Sequence, residues 1–282
     1  MGYLKIPNLY KDIRILEHDE CYAMEKIHGT SAHIKWDGNE ITLFSGGMKH
    51  ETFEAIFDLE ELRKKFEGVQ FVDYVTIYGE ACGGKQQKMS DTYGKDPAFI
   101  AFDVKVDGQW YDVTDAEKVV DHIGLKFVFY KRGPATVEWL NEQRDLPSQV
   151  ALELGLGSKI REGVVIRPIH EGVDHRGNRI ITKHKRDEFK ETRTKREVDP
   201  DKMLVLAKAK EVAREWVTEM RLEHVLDKMP EKGEIEHTGK VIKAMINDVK
   251  LESEGEVVWS KAVEKEIGKE TAIMYKKSVS KI

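Results

Sequence analysis

The chain has 282 residues, of which 40% are hydrophobic and 34% charged, with 46 Lys and Arg against 51 Asp and Glu for a formal net charge of −5. That length suits one core plus a smaller appendage, no apolar run approaches the ~18 residues of a membrane span, and two cysteines, Cys21 and Cys82, argue against a disulfide framework or a structural zinc site. The opening residues lack the basic segment and long apolar run of a secretory signal, so a soluble, cytoplasmic monomer is expected.

Taken in chain order, residues 21–27 and 32–36 read as strands. Asp37-Gly38 followed by residues 41–44 predicts a hairpin, because Asp-Gly tolerates the positive φ of tight hairpin turns. Phe53, Ile56, Phe57, Leu62 and Phe66 lie near helical spacing and predict a helix over residues 53–66. Apolar runs at 69–78 and 98–104 are the next strands, and Asp107-Gly108 repeats the hairpin device. Thr114-x-x-Glu117, ahead of Val119, Val120 and Ile123, has the form of a capping box at the start of another helix. Runs at 126–130, 164–167 and 179–182 extend a mainly antiparallel β pattern with inserted helices. Beyond Pro200 the character changes: residues 203–229, 235–249 and 257–279 have helical periodicity and abundant Lys and Glu. The expected fold class is therefore α+β, with a mainly antiparallel β domain over residues 1–195 and a smaller all-α domain over residues 196–282. Trp216 and Trp259 are expected as core anchors of the helical part.

Charge is unevenly spread. Lys183, Lys185, Arg186, Lys190, Arg193, Lys195 and Arg196 make a basic cluster of the kind that meets phosphates, although Asp187, Glu188 and Glu191 offset much of it and a solvated linker fits as well.

A lysine followed three residues later by glycine is a pattern suited to covalent nucleotidyl transfer: the amine attacks an α-phosphorus, and the glycine lets the backbone pass close to the nucleotide. The tetrad begins at five places, Lys26, Lys35, Lys65, Lys105 and Lys265, so it proves nothing by itself. Lys35 and Lys105 enter Asp-Gly hairpins, Lys65 closes a predicted helix and Lys265 lies inside one. Lys26 instead follows an alternating strand.

Glu25-Lys26-Ile27-His28-Gly29-Thr30 is followed in order by Tyr78-Gly79-Glu80, Phe99-Ile-Ala-Phe102-Asp103-Val, Glu162-Gly163-Val-Val-Ile-Arg167-Pro168 and Lys183-His-Lys185. This series, spread over residues 20–190, resembles the RNA ligase 2 family, the bacteriophage and RNA-editing ligases of the covalent nucleotidyltransferase superfamily that also holds DNA ligases and capping enzymes. The resemblance implies a nucleotidyltransferase fold for residues 1–195 and an ATP-dependent RNA ligase that joins a 3′-hydroxyl to a 5′-phosphate through lysyl-AMP. It implies that Lys26 is the nucleophile. Lys183 and Lys185 would hold the triphosphate, offset charge in the transition state and, as neighbouring cations, favour the uncharged amine of Lys26.

Glu25 would accept from the adenine amino group, favouring ATP over GTP. Ile27 and Gly29 would border the nucleotide, Glu80 would bind ribose hydroxyls, and Phe102 would stack on adenine or serve as a core strand phenylalanine. Glu162 would hold ribose or metal, with Mg²⁺ the expected ion and Mn²⁺ an acceptable one. Arg167 would pair with phosphate or cap a surface strand, and His28 would set the loop after the nucleophile or be structural. RNA is the expected partner, as a nicked duplex or paired ends. Two positions depart from the family pattern: Phe44-Ser45-Gly46-Gly47 stands where Phe-Ser-Arg is usual, and Ser31 stands where asparagine is expected. Both bear on RNA engagement rather than on nucleotide attachment. His170, His175, His184 and Asp174 have no zinc-ligand spacing and read as loop residues.

Two other readings stand beside this one. A DNA ligase or capping enzyme would normally continue into an OB-fold rather than helices. A nucleic-acid-binding module that had lost catalysis would not need the full set of lysines and glutamates.

Overall fold

The computed structural model describes residues 2–68, 74–174, 176–189, 199–229, 233–254 and 256–280. The chain divides into two compact units, Met1–Glu197 and Val198–Ile282.

The first unit runs β1 (Glu20–Lys26), β2 (Thr30–Trp36), β3 (Ile41–Ser45), α1 (His50–Glu54), α2 (Leu59–Glu67), β4 (Val75–Gly83), α3 (Ser90–Tyr93), β5 (Pro97–Val106) and β6 (Gln109–Trp110). It continues with α4 (Val113–Ile123), β7 (Lys126–Phe127), β8 (Tyr130–Pro134), α5 (Val137–Asp145), α6 (Gln149–Glu153), β9 (Gly163–Pro168) and β10 (Thr182–Lys185). Two sheets result, one ordered β10-β9-β1-β8 and the other β3-β2-β4-β5-β6 with β7 alongside β5. Among the described strands every pairing is antiparallel except β5 with β7.

Both Asp-Gly hairpins form. At the first, Gly38 takes φ 88° and the Asp37 carboxylate accepts from the backbone N–H groups of Asn39 and Glu40. At the second, Asp107 and Gly108 both have positive φ, as the tight turn between β5 and β6 requires. The helix expected over residues 53–66 is two helices. Asp58 interrupts it because its side chain accepts from the N–H groups of Glu60 and Glu61 and so caps α2, while Phe53 and Phe66 still reach the core. The capping box at Thr114 and Glu117 does not form. The N-cap of α4 is Asp112, whose carboxylate turns to the Glu171 N–H, and Glu117 instead accepts from the Tyr130 hydroxyl. Of the strand expected over residues 69–78, residues 69–73 lie outside the described residues and β4 begins at Val75. The run at 126–130 divides between β7 and β8, and that at 179–182 is paired in β10 only from Thr182. Ile34, Ile77, Val104 and Val120 fill the core between sheet and helices, with Trp36 stacked on Phe66 at 5.7 Å. Fully buried aliphatic and aromatic side chains of this kind each contribute roughly 1.5–3 kcal/mol.

The second unit is helical: α7 (Pro200–Trp216), α8 (Glu219–Asp227), α9 (Thr238–Glu252) and α10 (Lys261–Val279). Asp199, Thr218 and Ser260 cap α7, α8 and α10 through their side chains. Ala213, Leu222, Met245, Ile267 and Tyr275 lie in its core, and Trp216 and Trp259 pack against it partly buried. Gly268, the last residue of the fifth Lys-x-x-Gly, serves packing here: a Cβ on it would come within 3.2 Å of Ile242 on α9. Among the described residues no helix is long and apolar enough to cross a membrane.

Candidate functional site

Two strand ends and one glycine bring the sequence motifs together. In the first sheet Lys26 at the end of β1 lies opposite Gly163 at the start of β9, and Gly163 in turn lies opposite Lys185 on β10. Gly163 has φ 151° and its missing Cβ would stand 2.2 Å from the His184 carbonyl, so only glycine lets β10 close against β9 here. Glu162, just before it and 2% exposed, receives the charges that converge: Lys26 Nζ at 3.0 Å and His28 Nδ1 at 3.1 Å on one oxygen, and Lys185 Nζ at 2.8 Å on the other. Burial pushes the Glu162 carboxyl up, but Lys26 and Lys185 outweigh it and hold the group below the usual carboxylate range. Lys26 and Lys185 thus share one anion, which is in direct contact with both amines.

The loop after Lys26 is tied to the second sheet. The Gly29 N–H donates to Glu80 Oε1 at 3.2 Å, and the His28 N–H donates to the Tyr93 hydroxyl at 3.1 Å. A Cβ on Gly29 would lie 2.3 Å from the Ala81 carbonyl oxygen, which explains the glycine by close backbone approach. Burial pushes the Glu80 carboxyl up to about 7, with Lys26 opposing and Glu162 adding to the rise.

Above this charged floor lies a cavity of about 260 Å³, bordered by Lys26, Ile27, Ser31, Glu80, Phe102 and Lys183, among others. Its size and mixed apolar and charged lining fit a nucleotide-sized ligand at the small end of the usual range. Lys183 and Lys185 lie on one face of β10, because strand residues two apart point the same way. Most of the predicted site residues are therefore gathered in one place, and two of them, Glu25 and Arg167, are held by buried partners.

Glu25 borders the cavity, and its carboxylate is already held by neighbours in the protein. It is 3% exposed, one oxygen accepts from Ser148 Oγ at 2.6 Å, the other accepts from the Gln149 N–H at 2.8 Å, and Arg161 Nη2 is 3.8 Å away. Successive strand residues face opposite sides, so with Lys26 turned to Glu162, Glu25 is turned behind the strand. Arg167, expected on phosphate or on a surface strand, is 1% exposed and each of its nitrogens is engaged. Nε donates to Glu171 at 2.7 Å, Nη1 to Asp103 at 2.9 Å and to the Phe102 carbonyl at 3.4 Å, and Nη2 to the Tyr111 carbonyl at 2.5 Å. It is an internal brace under the strand that carries Phe102.

Sequence reasoning missed the third wall. Residues Tyr3, Leu4, Lys5 and Ile6 border the same cavity. The Tyr3 hydroxyl donates to Asp103 Oδ2 at 2.5 Å and accepts from Arg179 Nη1 at 3.0 Å, and its ring meets the Phe102 ring edge-on at 4.9 Å. Further along, the Leu9 N–H donates to the Lys183 carbonyl and the Lys183 N–H donates to the Pro7 carbonyl, which lays this segment along β10. A single tyrosine pairing across 100 residues leaves no local periodicity to detect.

Other features fall away. Lys35 and Lys105 lie over the rings of Tyr74 and Trp110, and Lys65 pairs with Glu61. His170 pairs with Asp112, His184 with Asn141 and Arg144, and Asp174 with Arg14; His175 and the basic positions 190–196 lie outside the described residues. At Gly46, where the family pattern has arginine, a Cβ would meet Thr30 Oγ1 at 3.4 Å and the Ser31 carbonyl oxygen at 3.5 Å. Among the described residues no group of three or more His, Cys, Asp or Glu could hold a metal ion. The described donors suit a divalent cation that arrives on phosphates, for which Glu162 would be one carboxylate, rather than a cage of protein ligands.

A family model described as RNA ligase matches residues 19–185, and no curated protein matches the chain. Among solved structures, Naegleria gruberi RNA ligase with PPi aligns at 17% identity and a TM-score of 0.50, covering 67% of this chain and 57% of that one. Mutants of the same ligase with ATP and Mn and with AMP and Mn align at 16% identity and the same TM-score and coverage. The chain therefore spans about 57% of the length of these structures, and the likeness is one of fold.

Proposed function

The chain belongs to the RNA ligase family, and from that premise we propose that it is an ATP-dependent RNA ligase of the RNA ligase 2 type, with the first unit as its adenylyltransferase domain and Lys26 as its nucleophile. The observation that carries the reading is the convergence of Lys26 and Lys185 on Glu162 at 3.0 and 2.8 Å, with Lys26 also bordering the cavity that Phe102, Glu80 and Lys183 line.

The Lys26 amine attacks the α-phosphorus of ATP, the bond to the β-phosphate oxygen breaks, and pyrophosphate leaves. AMP then passes to an RNA 5′-phosphate, and a 3′-hydroxyl displaces AMP to seal the strand. Glu162 fixes the resting amine by ion pairing and is the nearest acceptor for its proton. Lys183 and Lys185 on one face of β10 hold the phosphates and offset the charge that builds on them. Phe102 offers a ring face to adenine, and Glu80 offers an acceptor for ribose hydroxyls. Bound magnesium or manganese would neutralise phosphate charge, with Glu162 as its protein ligand. The helical unit contributes phosphate contacts to RNA, with a nicked duplex or paired ends as the substrate.

The test is incubation with ATP labelled at the α-phosphate and a divalent cation, beside Lys26→Ala. Label on the intact protein and none on the variant is expected. Persistent label on Lys26→Ala overturns the nucleophile assignment, and absence of label on the intact protein overturns the activity. Nicked RNA, nicked DNA and single strands compared in parallel identify what is joined.

A further inference from the structure

Residues 3–9 run along the cavity between two anchors. At one end the Tyr3 hydroxyl is bonded to Asp103 and Arg179 beside the Phe102 ring. At the other the Pro7 carbonyl accepts from the Lys183 N–H at 2.9 Å and from Thr182 Oγ1 at 3.0 Å, and the Leu9 N–H donates to the Lys183 carbonyl at 2.8 Å. Lys5 lies midway between Tyr3 and Pro7, so its Cα is within about 7 Å of either anchor's Cα. It borders the cavity and is exposed. The anchors therefore set where the Lys5 backbone sits at the cavity mouth before any ligand arrives.

The charges around the cavity single this residue out. Of the other cations that border it, Lys26 is bound to Glu162, Arg167 is enclosed by Asp103 and Glu171, and Lys183 stands on β10 beside the Pro7 anchor. Lys185 shares the Glu162 carboxylate with Lys26. Among the described residues the Lys5 side chain makes no ion pair, hydrogen bond or ring contact. On the β3 side, Ser31 borders the cavity with Gly46 beside it, and neither carries charge. A phosphate at the mouth thus meets in Lys5 a cation that no described carboxylate offsets. A lysine suits that place, because its flexible stem and several N–H donors can follow a phosphate without a fixed geometry.

We propose that Lys5 is a phosphate-binding residue, a cation that the N-terminal segment brings to the mouth of the cavity. Its ligand is a phosphate group, that of ATP before Lys26 is labelled or that at the 5′ end of the RNA which receives AMP. The inference rests on the cavity being the nucleotide site.

In the full chain, Lys5→Met, which keeps an unbranched stem and loses the charge, is compared with Lys5→Arg, which keeps the charge. Labelling of Lys26 at varied ATP reads the first source, and transfer of AMP from prelabelled protein to varied 5′-phosphate RNA reads the second. Lys5→Met is expected to raise the half-saturating concentration about tenfold in at least one of these assays, with the saturated rate within about threefold of wild type. Lys5→Arg should return that concentration to within about threefold of wild type, and the wild-type advantage over Lys5→Met should shrink as salt is raised. A rise confined to labelling assigns the phosphate to ATP, and one confined to transfer assigns it to RNA. Half-saturating concentrations that stay put in both assays overturn the proposal. So does a loss that Lys5→Arg shares in full or that salt leaves unchanged, since packing rather than charge would then be at work. An intact protein that takes no label refutes the nucleophile or the activity instead. Calorimetric titration of wild type and Lys5→Met with ATP and with 5′-phosphate RNA then decides: an affinity about tenfold weaker in the variant for either ligand sustains the proposal, and equal affinities for both refute it.

Discussion

Replacing Glu80 by Gln removes a half-buried carboxylate whose pKa is pushed from 4.5 to about 7, and the same change should stabilise the protein while weakening its nucleotide site. The folded state holds the proton more tightly than the unfolded chain, so wild-type stability is full below pH 4.5 and is lost as pH rises through about 7. At about 1.4 kcal/mol per pH unit the gap amounts to roughly 3 kcal/mol as an upper figure. Glutamine keeps the shape and an oxygen for the Gly29 N–H, has no charge to desolvate, and no longer repels Glu162. Thermal unfolding of both proteins should therefore coincide near about pH 4.5 and separate as pH rises, with Glu80→Gln melting roughly 6–12 °C higher by about pH 8 for a unit of this size. Under the same conditions its half-saturating ATP concentration for Lys26 labelling should rise, since an acceptor for ribose hydroxyls is weakened. Melting curves that stay parallel across the pH range, or a Glu80→Gln protein less stable at high pH, would refute the electrostatic account. Greater stability with unchanged ATP affinity would refute only the ribose role.

Arg167→Lys cannot reproduce the fork that joins Asp103, Glu171 and two carbonyls, and urea unfolding should show a loss of about 3–5 kcal/mol; the ATP requirement of the folded protein should hardly move, whereas a phosphate contact would show the reverse. Gly29→Ala places a Cβ 2.3 Å from the Ala81 carbonyl oxygen, so Lys26 labelling should fall by about a hundredfold as the loop shifts, and wild-type labelling would disprove the close approach. Glu162→Gln leaves Lys26 and Lys185 without their shared anion and should lower the labelling rate by at least roughly a hundredfold, with quench-flow labelling the check. Tyr3→Phe removes one donor from Asp103 at a cost of about 1–2 kcal/mol, read by urea unfolding, while the ring it keeps should leave the half-saturating ATP concentration nearly unchanged.

Some of this site is legible in one dimension because its parts are short and local. The Asp-Gly turns follow from the φ that two residues can adopt, and the helices after Pro200 follow from a period of apolar residues. The choice of Lys26 among five copies of Lys-x-x-Gly rests on the order of motifs behind it, which the fold turns into a convergence: Lys26, Glu162 and Lys185 meet because β1, β9 and β10 are adjacent in one sheet. The discarded copies also make sense only in three dimensions, as with Gly268, a packing glycine between α9 and α10.

What the sequence by itself determined was the set of chemical groups and the identity of the residues around Lys26. Which way each group points was decided by the tertiary structure. Glu25 carries the charge expected of a nucleotide-binding residue and is held at the cavity by Ser148 and Gln149, while the Asp103 and Glu171 carboxylates draw Arg167 inward. Tyr3 becomes part of the cavity wall through a hydrogen bond to a residue 100 positions away. The physical reason is that a side chain's type is fixed locally, whereas a buried polar group takes whichever partner the chain brings within about 3 Å, and that partner is set by contacts distant in sequence.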